Sequence, residues 1–322
     1  MKLNVAFAGF RHGHIFDLYN KIEKHDEVSL AGAWEEDDAT RESLKEKINF
    51  NYKTYDEILN DVSVNVVAIG DYYGKRGSLA IAALKAGKHV IADKPLCTSL
   101  EELDEIERLA KEKNLKVHCM FSMLYDANVN TAKAIIESGR LGEIRNIYFG
   151  GQHPLNYGVR PMWYFEEGKH NGTINDIAIH GIDAIKYTMG LRTTKVHSAR
   201  CWNAYATEKP NFKDSAQFMA ELENGAGVIA DVSYAALSSM TLPTYWLFII
   251  WGSKGMIKFA YNTDVEAFFE GAKEVEIIKC DAPKDDYFTD LLAELDGKAG
   301  LITTADVFTS TRDTLTIQAA AK

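Results

Sequence analysis

An acid and an imidazole four residues apart, followed by a second acid three residues on, make "NGTINDIAIHGIDAIKYTMG" the stretch best equipped for proton transfer. On a helix Asp176, His180 and Asp183 crowd one face, with apolar residues between them. A carboxylate beside an imidazole is general acid–base equipment, the same spacing also serves metal ligation, and a buried histidine satisfied by its neighbour requires no chemistry. The segment alone leaves all three readings open. A second candidate is Lys94 in "HVIADKPLCTS", where Pro95 restricts the lysine to an extended backbone at the end of a strand. The carboxyl ends of parallel strands are where such sheets bind ligands. A bare Lys-Pro dipeptide is equally compatible with a surface lysine. The third candidate is "VAFAGFRHGH": Gly9 fits the first glycine of a G-x-G-x-x-G dinucleotide turn, but Arg11 and His14 stand where the second and third belong. Roughly 20 residues further on, Glu35 ends the next apolar run, where a carboxylate accepts hydrogen bonds from adenosine ribose hydroxyls. Glu36, Asp37 and Asp38 read better as a solvated acidic turn.

These residues fall at the ends of elements that the hydrophobic pattern outlines. "LNVAFAG", "VSLAGAW", "VNVVAIG", "HVIAD" and "KVHCMF" are buried-strand runs, and helix-period segments such as "IFDLYNKIEKH" and "SLEELDEIERLAKEKN" separate them. That alternation predicts a Rossmann-type, doubly wound parallel sheet, an α/β domain over residues 1–121. After Phe121 the rhythm changes. The helix "NVNTAKAIIESGR" leads into long alternating stretches such as "SAQFMAELENGAGVIADVSY", which predict an α+β domain with a mostly antiparallel open sheet over 122–322. Asn224-Gly225 is a hairpin signal within it.

Composition narrows the function. The chain has 322 residues, 46% hydrophobic and 25% charged, enough for two ordinary cores. A net charge of -10 and the lack of any basic run exclude a nucleic-acid footprint. Cys97, Cys119, Cys201 and Cys280 are scattered without a metal-ligand spacing and read as thiols of a reducing, cytoplasmic compartment. The apolar run "YWLFIIW" is far too short to span a bilayer, so no membrane partner is expected.

Taken together, the glycine turn, the acidic strand end, the "DKP" strand end and the Asp-x-x-x-His-x-x-Asp helix resemble the glucose–fructose oxidoreductase, inositol dehydrogenase and rhizopine catabolism (Gfo/Idh/MocA) family. "AALKAGKHVIADKPLCTSLEE" is similar to that family's A-L-x-A-G-K-H-V-x-x-E-K-P segment, with Asp93 for the usual Glu. "AIIESGRLGEIRNIYF" and "IIWGSKGMIKF" resemble its entry to the second domain and a late strand pair. Arg76 stands where a His is common, and Asn171 and Thr173 replace glycines at the helix entry.

The resemblance implies a nicotinamide cofactor held by Gly9, Phe10, Arg11, His12, Glu35, Gly70, Asp71, Asp93 and Lys94. NAD is expected over NADP, because Glu35 would repel a 2′-phosphate. It implies hydride exchange with a sugar, cyclitol or related polyol, with His180 as the proton acceptor or donor, Asp176 orienting, and Lys94 donating to the reacting oxygen. Tyr157, Arg160 and Trp163 join Lys94, Asp176 and His180 as candidate substrate contacts. It further implies a homodimer or homotetramer built through the C-terminal sheet, and no resident metal is expected. Three alternatives stay open: NAD-dependent glycoside cleavage, a hydrolase whose metal is held by His153, Asp176 and His180, and a non-catalytic nucleotide or sugar sensor.

Overall fold

The computed structural model describes residues 3–241, 245–281 and 286–322. Strands β1 (Leu3–Ala8), β2 (Val28–Trp34), β3 (Val66–Ile69), β4 (His89–Ala92) and β5 (Val117–Cys119) form a parallel sheet in the order β2-β1-β3-β4-β5. Their crossovers carry α1 (Ile15–Glu23), α2 (Asp38–Leu44), α3 (Tyr55–Asn60), α4 (Tyr73–Lys85) and α5 (Leu100–Lys113). All four residues of β3 are fully buried, as expected of a strand covered on both faces. Each such Val or Ile contributes about 1.5–3 kcal/mol by leaving water. The helices are bounded by their own sequence: Ser99 caps α5 by accepting from the Glu102 N–H at 3.2 Å, and Asn114 ends it in the left-handed region.

The second sheet has eight strands: β6 (Ile144–Pro154), β7 (Thr193–Trp202), β8 (Ser215–Leu222), β9 (Gly227–Ala236), β10 (Leu247–Gly252), β11 (Gly255–Phe259), β12 (Val265–Phe269) and β13 (Glu276–Ile278). In the order β13-β12-β11-β10-β6-β9-β8-β7, β6 and β9 run parallel and the other neighbours antiparallel. The Asn224-Gly225 turn does join two paired strands, with Gly225 at φ +81° and Met219 opposite Ile229. One face packs Phe149, Phe218, Phe248 and Val232 toward α6 (Ala127–Glu137) and α7 (Ile179–Met189); the other exposes Met219, Ile229, Trp251 and Phe268.

Two compact units result: Met1–Met120 with Tyr287–Thr311, and Phe121–Asp286 with Arg312–Lys322. The alternation in the sequence predicts a single domain over 122–322, whereas the stretch Tyr287–Thr311 packs with the parallel sheet. Helix α8 (Tyr287–Leu295) buries Phe288 and Leu291, and its Glu294 takes the His118 ring nitrogen at 2.7 Å. The hydroxyl of Thr304, at the start of α9 (Thr304–Ala320), accepts from the Val117 N–H at 3.1 Å. Among the described residues no helix is long and apolar enough to cross a membrane.

Candidate active site

The first unit builds its site from the ends of β1 to β4. At Gly9 the backbone is left-handed (φ +84°), and a Cβ there would come within 2.8 Å of the Asp71 backbone, so only glycine fits. The amides that follow are spent inside the fold: Gly9 on the Trp34 carbonyl (2.9 Å), Phe10 on Glu35 Oε2 (2.6 Å), Arg11 and His12 on the Gly70 carbonyl (3.1 and 3.2 Å). Gly13 and His14 make no such backbone bond among the described residues, and a Cβ on Gly13 would meet nothing within 4 Å. A close-approach glycine, an open one and two uncommitted amides leading into α1 fit the phosphates of a dinucleotide. Gly13 lies outside the G-x-G-x-x-G spacing, so that pattern does not single it out. Arg11 does not block the turn: its Nη1 lies 3.5 Å from Asp37 Oδ1 and its guanidinium 6.0 Å from the Tyr72 ring centre.

Glu35 closes the same turn from β2. Its carboxylate is 1% exposed and accepts from the amides of Phe10 and, at 2.9 Å, Asp37. Burial raises its pKa against the effect of those two bonds. The acids behind it are matched by cations, Asp37 by Arg11 and Glu36 by Lys75, whose ammonium also lies 3.7 Å from Asp71. Burial likewise raises the pKa of Asp71, with Lys75 opposing it.

Asp93 is the hub of a buried ionic cluster. His12 Nδ1 lies 2.5 Å and Arg76 Nη2 3.1 Å from its Oδ2, and His14 Nδ1 lies 3.5 Å from its Oδ1. Burial opposes charge on Asp93, but Arg76 and His12 overcome it and hold the carboxyl well below the usual range. Burial lowers the His12 pKa to about 4, more than Asp93 can offset. A neutral His12 therefore donates from Nδ1 to the carboxylate, and its Nε2 accepts the Tyr73 hydroxyl proton at 3.2 Å. The two departures from the family pattern, Asp93 and Arg76, are thus paired with each other. Lys94 follows, 3% exposed, with its ammonium 6.0 Å from the Tyr73 ring centre.

The second unit supplies the other candidates. Asp176 lies in a π-helical turn, Ile174–Ala178, that precedes α7, so its registry with His180 differs from that of the uniform α-helix the spacing suggested. Its Oδ2 accepts the Tyr234 hydroxyl and lies 3.3 Å from His170 Nε2, which also reaches the Tyr234 oxygen at 3.1 Å. The Gly172 N–H donates to His170 Nδ1 at 3.3 Å, so the ring proton sits on Nε2. Burial, then the Asp176 charge, push the Tyr234 pKa well above its ordinary value. His180 is buried edge-on to Trp246, 4.9 Å between ring centres, and His153 is as close to the same indole. Trp246 itself has φ +50°, uncommon for so bulky a side chain.

Tyr157 is half exposed. Arg160 donates to the Leu155 and Pro154 carbonyls (2.8 and 2.9 Å) and lies over the rings of Tyr164 and Tyr234. Trp163 is 2% exposed and packed 4.1 Å from Tyr164. His170, Tyr234 and Trp246 went unnoticed in the sequence, since nothing in their spacing ties a strand-end tyrosine to a helix 58 residues away. Among the described residues, the group with ligand atoms within 4.8 Å of one another is His12, His14 and Asp93, rather than His153, Asp176 and His180.

Residues 3–121 match the family model "Oxidoreductase family, NAD-binding Rossmann fold", and residues 129–258 match that of the GFO/IDH/MocA C-terminal domain. The chain belongs to the Gfo/Idh/MocA oxidoreductase family. Its first unit is accordingly an NAD-binding Rossmann fold, as the glycine turn and strand order led one to expect. Among curated members it is 29% identical over 136 residues to scyllo-inositol 2-dehydrogenase (NADP(+)) of Bacillus subtilis, covering 42% of this chain and 38% of that protein. It is 32% identical over 151 residues to levoglucosan dehydrogenase of Pseudarthrobacter phenanthrenivorans, covering 45% and 38%. The chain thus spans well under half the length of these Gfo/Idh/MocA relatives in the matched region. A structure of levoglucosan dehydrogenase with NADH and levoglucosan superposes with a TM-score of 0.79 at 21% identity, over 100% of this chain and 97% of that one, and so shares the fold.

Proposed function

We propose that this Gfo/Idh/MocA chain exchanges a hydride between a nicotinamide dinucleotide and a CH–OH carbon of a sugar, cyclitol or related polyol. The observation that carries this reading is Lys94, held by a buried cluster at the end of β4 in the same unit as the Gly9 turn. The cofactor, when bound, supplies the hydride chemistry. Gly9, Gly13 and the start of α1 would receive its phosphates, Glu35, whose oxygens already accept from Phe10 and Asp37, would border its adenosine ribose, and Phe10, Arg11, His12, Gly70, Asp71 and Asp93 would shape the floor. Lys94 donates to the reacting oxygen and stabilises its alkoxide character. His180 takes the hydroxyl proton in oxidation and returns it in reduction. Asp176, steadied by Tyr234 and His170, orients the substrate or the imidazole. The names of the inositol and levoglucosan dehydrogenases favour a polyol or anhydrosugar.

NAD is the proposed partner, since a 2′-phosphate brought beside the Glu35 carboxylate would be repelled by on the order of 1–3 kcal/mol. A second reading, NADP, draws on Arg11 and Lys75, which partly neutralise the acids behind β2 and could pair with that phosphate. Four thiols without disulfides suit a reducing, cytoplasmic setting. The exposed apolar face of the eight-stranded sheet suits a second copy of the chain, giving a dimer or tetramer. A panel of polyols, anhydrosugars and keto-sugars, run with both dinucleotides and followed by nicotinamide absorbance, tests the proposal. Turnover of at least one compound is expected. Dinucleotide binding with no turnover would favour a sensor, glycoside cleavage without net cofactor change would favour the transient-oxidation alternative, and metal-dependent hydrolysis would overturn it.

A further inference from the structure

We infer that Arg76 is a positioning residue for Lys94, clamping the backbone of Asp93–Pro95 and so fixing where the lysine ammonium acts. The inference rests on the catalytic reading of Lys94 proposed above; the contacts themselves do not.

Arg76 lies near the start of α4 and is fully buried. Its Nη1 donates to three successive carbonyls: Asp93 at 2.9 Å, Lys94, and Pro95 at 3.3 Å. Its Nε donates to the Asp71 carbonyl at 2.7 Å, and its Nη2 to Asp93 Oδ2. One planar fork therefore joins Asp71, two residues past β3, to the segment after β4. The carbonyl of Lys94 itself is among its acceptors, so the lysine cannot move its backbone without breaking a charge-assisted bond. Lysine at position 76 would offer a point charge instead of a fork and could not hold these acceptors together.

The same cluster borders the side chain of Lys94. The Tyr73 ring lies 4.7 Å from the Arg76 guanidinium and 6.0 Å from the Lys94 ammonium, and its hydroxyl is anchored on His12 Nε2. His12 is in turn fixed by Asp93, the carboxylate that Arg76 pairs with. Because the Arg76–Asp93 pair is internally neutralised, the clamp adds no net charge beside the ammonium it positions.

Pulse acetylation with a water-soluble N-hydroxysuccinimide ester, read peptide by peptide in a mass spectrometer, measures how firmly Lys94 is held. In the parent, Lys94 should label about tenfold or more slowly than the exposed Lys24 and Lys47. Arg76→Gln should speed its labelling about fivefold or more without changing the reference lysines, and Arg76→Lys should act in the same direction. Equal labelling of Lys94 and the exposed lysines in the parent would overturn the inference even if neither variant folds, as would parent-like labelling in a folded variant. With a substrate from the panel, Arg76→Lys should slow the parent about tenfold and slow Lys94→Ala less than about twofold further, since a residue acting through Lys94 has nothing left to position. Independent, multiplying losses would assign Arg76 a general structural role. Parent-like turnover of Lys94→Ala would instead remove the catalytic reading and leave the labelling result standing.

Discussion

Asp93 and Asp176 sit in buried clusters made of the same parts, an imidazole and a tyrosine hydroxyl, yet the two are wired differently. Around Asp93 the parts form a line: Tyr73 donates to His12, and His12 to the carboxylate, whose charge Arg76 balances. Around Asp176 they form a ring: Tyr234 donates to the carboxylate directly, and His170 reaches both. An acid locked against a guanidinium keeps its charge and serves as a fixed post. One held by neutral donors keeps groups that can re-order their protons when a substrate hydroxyl arrives. On the function proposed above, the first cluster serves placement and the second proton handling.

That contrast can be broken by mutation, and the largest effect should come from the second unit. His180→Ala and Asp176→Asn are expected to lower kcat about 10²–10⁴-fold while thermal melting changes little, as removal of a positioned base does. Parent-like rates in either variant would remove that residue from proton handling.

In the first unit the cost should appear as stability. Asp93→Glu and Arg76→His each spoil a buried ion pair, and each should cost up to about 3–5 kcal/mol in urea unfolding. The double variant should recover part of that loss, because the shorter cation then meets the longer acid. Additive losses would show that the two positions are not coupled.

The pH response sharpens the same comparison. His12 titrates near its ordinary value when unfolded but near 4 when folded, so between those values the unfolded chain binds the extra proton and stability rises with pH. Lowering the pH from 7 to 4.5 should therefore cost the parent on the order of 2–3 kcal/mol more than it costs His12→Gln. Equal pH dependence would show that folding does not shift the His12 pKa.

Cofactor recognition should give the smallest change. Arg11 lies against Asp37 and Tyr72 without blocking the turn; with its charge aiding the phosphates, Arg11→Gly and Arg11→Ala should each weaken NADH about tenfold. Unchanged or tighter binding in a calorimetric titration would mean that Arg11 only replaced a glycine.

The sequence made the scaffold legible where side-chain type alone decides position. The unbroken apolar run of β3 and the Asn224-Gly225 hairpin each announce their own structure. Gly9 was legible because a left-handed turn leaves few alternatives. Arg76 was visible as a departure from the family pattern, but its purpose was not, because the carbonyls it binds exist in every residue and leave no trace in the letters. The π-helical turn at Asp176 was hidden for a related reason: Ile174–Ala178 has the composition of an ordinary helix, so nothing in its letters marks the wider turn. The return of Tyr287–Thr311 to the first unit depends on which exposed edge α8 covers, a long-range choice that local periodicity does not encode.

The most direct test of the account is the fate of deuterium placed at the nicotinamide C4 of the reduced cofactor, followed in the parent, Lys94→Ala and His180→Ala. The parent should deliver the label to a carbinol carbon of the product, and both variants should do so at least about a hundredfold more slowly while binding NADH within about threefold of the parent. Label that never reaches product carbon, or that transfers at the parent rate in both variants, would contradict it.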